Sequence, residues 1–222
     1  MLAVIAGLAA GSIHVLSGPD HLAAISPLAV QSRVRTWLIG LRWGIGHTAG
    51  VALVGLLALG LREIIPIDFI SSVSERAVGI VLIGIGLWGF RQALTKTIHT
   101  HTHSHDGSEH THIHAHRPLG AHDRPAAHQH IHAAFWVGIV HGLAGSSHLL
   151  GVLPALALPT RAEAVVYLTS FGMGTIAAMS LFAGVVGVVA RRFEHQRANW
   201  YRSFLMGVSG AAVGIGGFWL WV

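Results

Sequence analysis

His14–Pro27 reads HVLSGPDHLAAISP. The stretch lies in an apolar run near residues 1–30 that is long enough to cross a bilayer, yet it holds two histidines, an aspartate and a Gly-Pro pair. Gly18-Pro19 breaks a helix at that point. Proline has no N–H and its ring clashes with the preceding turn, so the backbone near Val15 loses its helical partner. Freed backbone at membrane depth is tolerated only inside protein or beside a water-filled cavity. Pro19 suits the first position of a new half-helix, and Asp20 then falls in its first turn, where a carboxylate is favoured.

Similar apolar runs recur along the chain. Of its 222 residues, 52% are hydrophobic and 10% are charged, against about 25% charged in a typical soluble domain. Runs near 1–30, 37–61, 75–94, 133–158, 163–190 and 200–222 each meet the ~20 residues needed to span a ~30 Å hydrocarbon core. The composition predicts an all-α, polytopic membrane protein of six transmembrane helices, the first and fourth broken, with no separate soluble domain. The first run lacks a basic leader and continues into the polar motif, so it reads as a span and not as a signal peptide. Cysteine is absent, which excludes disulfides, thiolate metal sites and redox pairs. The formal charge of +5 comes largely from arginines in short loops, where they set topology; no nucleic-acid partner is implied. The seven tryptophans fall mostly near span ends and read as an interfacial belt.

The two halves of the chain match each other. HVLSGPDHLAAISPLA from His14 aligns without gaps on HGLAGSSHLLGVLPAL from His141, pairing His14 with His141, Gly18 with Gly145, His21 with His148 and Pro27 with Pro154. WGIGHTA from Trp43 matches FGMGTIA from Phe171, and GIGLW from Gly84 matches GIGGF from Gly214 more weakly. Three spans per copy is an odd number, so the second copy enters the membrane inverted. Inverted repeats with broken helices near the midplane are a transporter signature. The expected organisation is a first repeat over 1–95, a histidine-rich loop over 96–132 and a second repeat over 133–222. With both termini outside, Arg33, Arg35, Arg42, Arg91, Lys96, Arg117, Arg124, Arg191, Arg192, Arg197 and Arg202 face the cytoplasm, and Arg62, Arg76 and Arg161 face outward, as the positive-inside rule requires.

An ionised aspartate at the midplane costs at least ~2.5–3.5 kcal/mol on insertion scales. A divalent metal shared with neutral imidazoles removes that cost. The candidate ligands are His14, Asp20 and His21, with His141 and His148 from the other repeat and His47 from the second span. Imidazole suits Zn, Cu, Fe and Ni, with Co close in affinity, and disfavours Mg and Ca. Thr175, the repeat counterpart of His47, reads as a packing residue.

The H-x(5)-D-H arrangement of His14, Asp20 and His21, set in GPDHLAA, resembles the signature of the nickel/cobalt transporter (NiCoT/NicO) superfamily. The six-span size looks most like its short bacterial branch, which includes urease-accessory-type nickel permeases. The resemblance implies transport of Ni²⁺ or Co²⁺ across a bacterial cytoplasmic membrane, with those three residues contacting the metal. Typical high-affinity members have four residues between the first His and the Asp-His pair, where this chain has five.

Residues 99–132 contain twelve histidines: His99, His101, His103, His105, His110, His112, His114, His116, His122, His128, His130 and His132. Low apolar content predicts a disordered cytoplasmic loop, and histidine-rich tracts bind metal by composition. The loop reads as metal capture for export or as a buffer after uptake, and resembles that of the nickel/cobalt efflux members. The metal ion is cargo and no prosthetic group is expected. The bilayer is the other implied partner; a cytoplasmic metallochaperone or a second copy of the chain stays open. The rival readings are transport of Zn²⁺, Fe²⁺ or Mn²⁺, and a membrane haem protein with axial histidines, in which Asp20 would have no use. No H-E-x-x-H motif or nucleophile with an evident base is present, so no enzyme is expected.

Overall fold

A computed structural model describes residues 1–32, 35–61, 67–95, 97–105, 108–116, 126–144, 154–155, 157–196 and 198–221, with backbone alone at 55–61, 67–71, 97–105, 108–116, 126–131, 195–196 and 198. The helices are α1 (Leu2–Ser17), α2 (Pro19–Gln31), α3 (Trp37–Leu61), α4 (Ile67–Thr95), α5 (Ala126–Leu143), α6 (Arg161–Gln196) and α7 (Ala198–Trp221). Apart from one hairpin the described chain is helical, as its apolar runs predict.

The first span breaks where Gly-Pro predicts. Gly18 takes an extended conformation, φ −83° and ψ 105°, and Pro19 opens α2. The axes of α1 and α2 meet at a 73° bend. Ser72–Thr95, Arg161–Glu194 and Asn199–Trp221 are each long and apolar enough to cross a membrane, and α1 with α2 forms a fourth such unit if taken as one bent span. From His132 to Leu143, α5 is a shorter apolar helix; the expected break in the fourth span lies outside the described residues. At the start of α6, Thr160 caps the helix. The Glu163 N–H donates to Thr160 Oγ1 at 3.2 Å, and the Thr160 hydroxyl donates to Glu163 Oε2 at 3.3 Å. The cap satisfies one N–H that the helix itself leaves open.

Large apolar side chains face outward along these helices: Ile13, Leu16, Ile80, Leu87, Met173, Leu181, Val188 and Phe218 are all exposed. Water would not tolerate so continuous an apolar exterior, and hydrocarbon does. The chain is a membrane protein.

The most extensive packing joins α3 to α5, α1 to α6 and α4 to α7, followed by α3 to α6. Glycines set these close approaches. Gly11 lies against the carbonyl of Phe171, and Gly138 against that of Trp43. Gly174 meets the carbonyl of Leu8, and Gly46 that of Phe135. A Cβ on Gly86 would stand 2.6 Å from the Ser209 carbonyl oxygen, and one on Gly216 2.7 Å from that of Gly79. A central cluster of Val15, Ile25, Leu28, Ile39, Trp43, Ala134, Ala178 and Met179 packs beneath the break.

Part of the histidine-rich segment is described as paired strands. Thr97–His105 (β1) and Ser108–His116 (β2) pair as an antiparallel hairpin, with His99 opposite His114, His101 opposite His112 and His103 opposite His110. Strict alternation of histidine with Thr, Ile, Ser or Ala gives this stretch the period of a strand. At the other end, α5 begins at Ala126, within the expected loop. His122 lies outside the described residues, and His132 is exposed.

Candidate metal site

The break brings His14 and His21 together. His14 sits in the last turn of α1 and His21 in the first turn of α2, and the bend folds one ring onto the other with centroids 5.0 Å apart. Gly18 makes this fold possible for a reason unrelated to its φ. A Cβ there would fall on His21 Nδ1, 2.7 Å from its Cε1 and 3.1 Å from Asp20 Oδ1.

His47, midway along α3, completes a triad. Its ring stacks beside His14 at 5.6 Å and meets His21 edge-on at 5.1 Å. One nitrogen from each of the three rings lies within 4.8 Å of the other two. His21 and His47 are buried, 2% and 0% exposed, and His14 is half-buried. Three imidazoles so placed on three helical segments can close on one first-row metal with bonds of about 2.0–2.1 Å after small side-chain movements.

His141 borders the triad from α5. Its ring centroid lies 5.9 Å from that of His21, and it is 1% exposed. Its Nδ1 lies 2.9 Å from the Val137 carbonyl. A carbonyl can only accept, so Nδ1 carries the proton and, in the neutral ring, Nε2 keeps the lone pair a metal needs. His148 lies outside the described residues.

Asp20 lies beside His21. Its Oδ1 lies 3.1 Å from His21 Nδ1, a close polar contact. A carboxylate behind a ligating histidine fixes its tautomer and raises its basicity. The sequence expects Asp20 among the metal ligands, and it lies directly beside His21 of the three-ring cluster.

Trp43 was missed. Read as part of the interfacial belt, it is 0% exposed and forms the floor of the site. Its indole stacks on His47 at 4.8 Å with planes 10° apart, and meets His21 at 5.4 Å and His141 at 5.6 Å. The signal was its place one turn before His47, on the same helical face. Phe171, its repeat counterpart, lies 5.6 Å from His14. Thr175 is buried, and its hydroxyl donates to the Gly11 carbonyl at 3.4 Å, packing α6 on α1 as expected.

The fold and the site define a membrane protein with a buried imidazole cluster at a helix break. Over 199 residues the chain is 31% identical to the urease accessory protein UreH of Bacillus sp. (strain TB-90), covering 82% of this chain and 75% of that one. The chain belongs to the UreH family. It is also 33% identical to the Chloroplast proteins FOR GROWTH AND FERTILITY 2 and 1 of Arabidopsis thaliana, covering 95% of this chain in each case, and it spans about half their length, 54% and 56%. No family model matches the chain, and no solved structure does.

Proposed function

We propose that this protein carries a divalent transition-metal ion, Ni²⁺ or Co²⁺, across a bacterial cytoplasmic membrane. The observation that carries the reading is the triad of His14, His21 and His47 at the break of a membrane helix. An imidazole set without sulfur ligands suits this group of metals, and buried ionisable groups in membranes mark ion pathways. The family relation to a urease accessory protein and the H-x(5)-D-H motif support nickel in particular. His141 joins as a fourth ligand, and Asp20 acts through His21.

The contact pattern supports six spans in two inverted repeats. Exchanging each residue for its repeat counterpart turns the Gly11–Phe171 contact into Gly138–Trp43, Leu8–Gly174 into Phe135–Gly46, and Gly86–Ser209 into Gly216–Gly79. The same exchange turns His14–Phe171 into His141–Trp43, both at 5.6 Å. A two-fold relation between the halves is the simplest account of all four pairs. In this reading both termini lie outside and the histidine hairpin faces the cytoplasm, where it collects or buffers metal. The histidines serve transport, with no chemical turnover.

The test is metal accumulation in cells with and without the protein, across Ni²⁺, Co²⁺, Zn²⁺, Fe²⁺ and Mn²⁺. A change confined to Ni²⁺ or Co²⁺ supports the reading, and its sign gives the direction. A change confined to another ion reassigns the cargo, and no change for any ion contradicts transport.

A further inference from the structure

Away from the histidines, a groove of about 550 Å³ opens between the start of α3 and the C-terminal half of α6. Arg35 and Arg191 stand on it, with Trp37, Leu181, Val185 and Val188 among its apolar walls, and none of its described lining residues is acidic. Leu181, Val185 and Val188 are 70%, 52% and 57% exposed. At spacing i, i+4, i+7 they form one apolar stripe along α6. Small residues leave the room: Gly187 lies against Thr36, and a Cβ on Gly184 would meet nothing nearer than Trp37 Cβ at 3.8 Å.

Arg35 is held in an unusual conformation. Its φ is 47°, in the left-handed region that long side chains rarely enter. Its carbonyl accepts the Leu38 N–H at 2.9 Å, so the strained residue also begins the turn that starts α3. Strained backbone of this kind gathers at ligand clamps and switches.

We infer that this groove binds an anionic glycerophospholipid. One acyl chain lies along Leu181, Val185 and Val188, and the phosphate sits between the guanidinium groups of Arg35 and Arg191. Guanidinium pairs with phosphate through parallel hydrogen bonds. The N-terminal end of α3, a helix of 25 residues, adds a favourable field for an anion. Trp37, half-exposed, is the side chain expected at headgroup depth. Basic pockets between membrane helices select anionic headgroups. A zwitterionic lipid offers the same chain but sets a cation beside its phosphate, and free phosphate offers the charge without the chain. The groove shares no lining residue with the histidine site, so the inference stands or falls apart from metal transport.

Native mass spectrometry of the full chain in detergent, titrated with phosphatidylglycerol or phosphatidylcholine of identical chains, tests it. The expected result is phosphatidylglycerol bound about tenfold more tightly. Arg35→Gln and Arg191→Gln should each lower that affinity about fivefold, leaving phosphatidylcholine unchanged. Gly184→Leu, which fills the groove and keeps both arginines, should weaken both lipids. Arg76→Ala, on α4 and off the groove, should change neither. Equal affinity for the two lipids, or phosphatidylglycerol affinity unchanged in the arginine variants or in Gly184→Leu, would overturn the inference. Displacement of phosphatidylglycerol by millimolar inorganic phosphate would make this a phosphate site and overturn it equally. Matching melting temperatures establish that each variant is folded before it is compared.

Discussion

Asp20 and His21, neighbours in the chain, also meet through their side chains: Oδ1 of the first lies 3.1 Å from Nδ1 of the second. In the proposed site the carboxylate supports the ring from the Nδ1 side and Nε2 meets the metal. Asp20→Asn keeps the shape and removes the charge. Metal affinity should fall about 10–100-fold, the usual cost of losing such a partner, with membrane insertion normal and transport nearly abolished. Titration calorimetry on purified protein and membrane fractionation check both parts. Parental affinity in the variant would remove Asp20 from the site.

Gly18→Ala separates the break from the site it serves. The backbone at Gly18, φ −83° and ψ 105°, is open to alanine, so α1 and α2 should still form. The added methyl would fall on His21 Nδ1 and turn the ring away from Asp20. Metal affinity should fall at least about tenfold, the low end for losing that carboxylate support, with helix content unchanged by circular dichroism.

Trp43 should tolerate phenylalanine and not alanine. Phe171 already fills the matching place against His14, so Trp43→Phe keeps an aromatic wall under His47 and should hold metal affinity within about twofold. Trp43→Ala opens a cavity at a fully buried position and should cost about 3–5 kcal/mol of stability. Thermal melts of the two variants in detergent distinguish these outcomes.

Gly11 and Gly138 should respond alike. Each meets a carbonyl of the neighbouring helix, that of Phe171 or of Trp43. Valine at either position overpacks the contact and should destabilise by about 1–3 kcal/mol. A large loss at one and none at the other would contradict the two-fold relation between the halves.

Much of the architecture was legible in the sequence because its signals are local. Apolar runs gave the helices, and Gly18-Pro19 gave the break. The spacing of His14 and His21 about that break gave their meeting. What depends on tertiary geometry was not legible. Adjacency of Asp20 and His21 does not say whether both touch the metal or one holds the other. Tryptophan composition does not separate Trp43, inside the bundle, from Trp37 and Trp136, which are exposed at 46% and 64%. In the histidine segment low apolar content and period-two alternation point different ways, and composition alone does not weigh them.

The central claim is one metal site shared by both halves of the chain. The direct measurement is Ni²⁺ binding to the full chain with the hairpin histidines replaced by serine, compared with its His14→Ala, His141→Ala and doubly substituted forms. The account predicts one ion per chain, a loss of affinity in each single variant, and little further loss in the double, because ligands of one site couple strongly. An unchanged affinity in His141→Ala, or losses that simply add in the double variant, would contradict it.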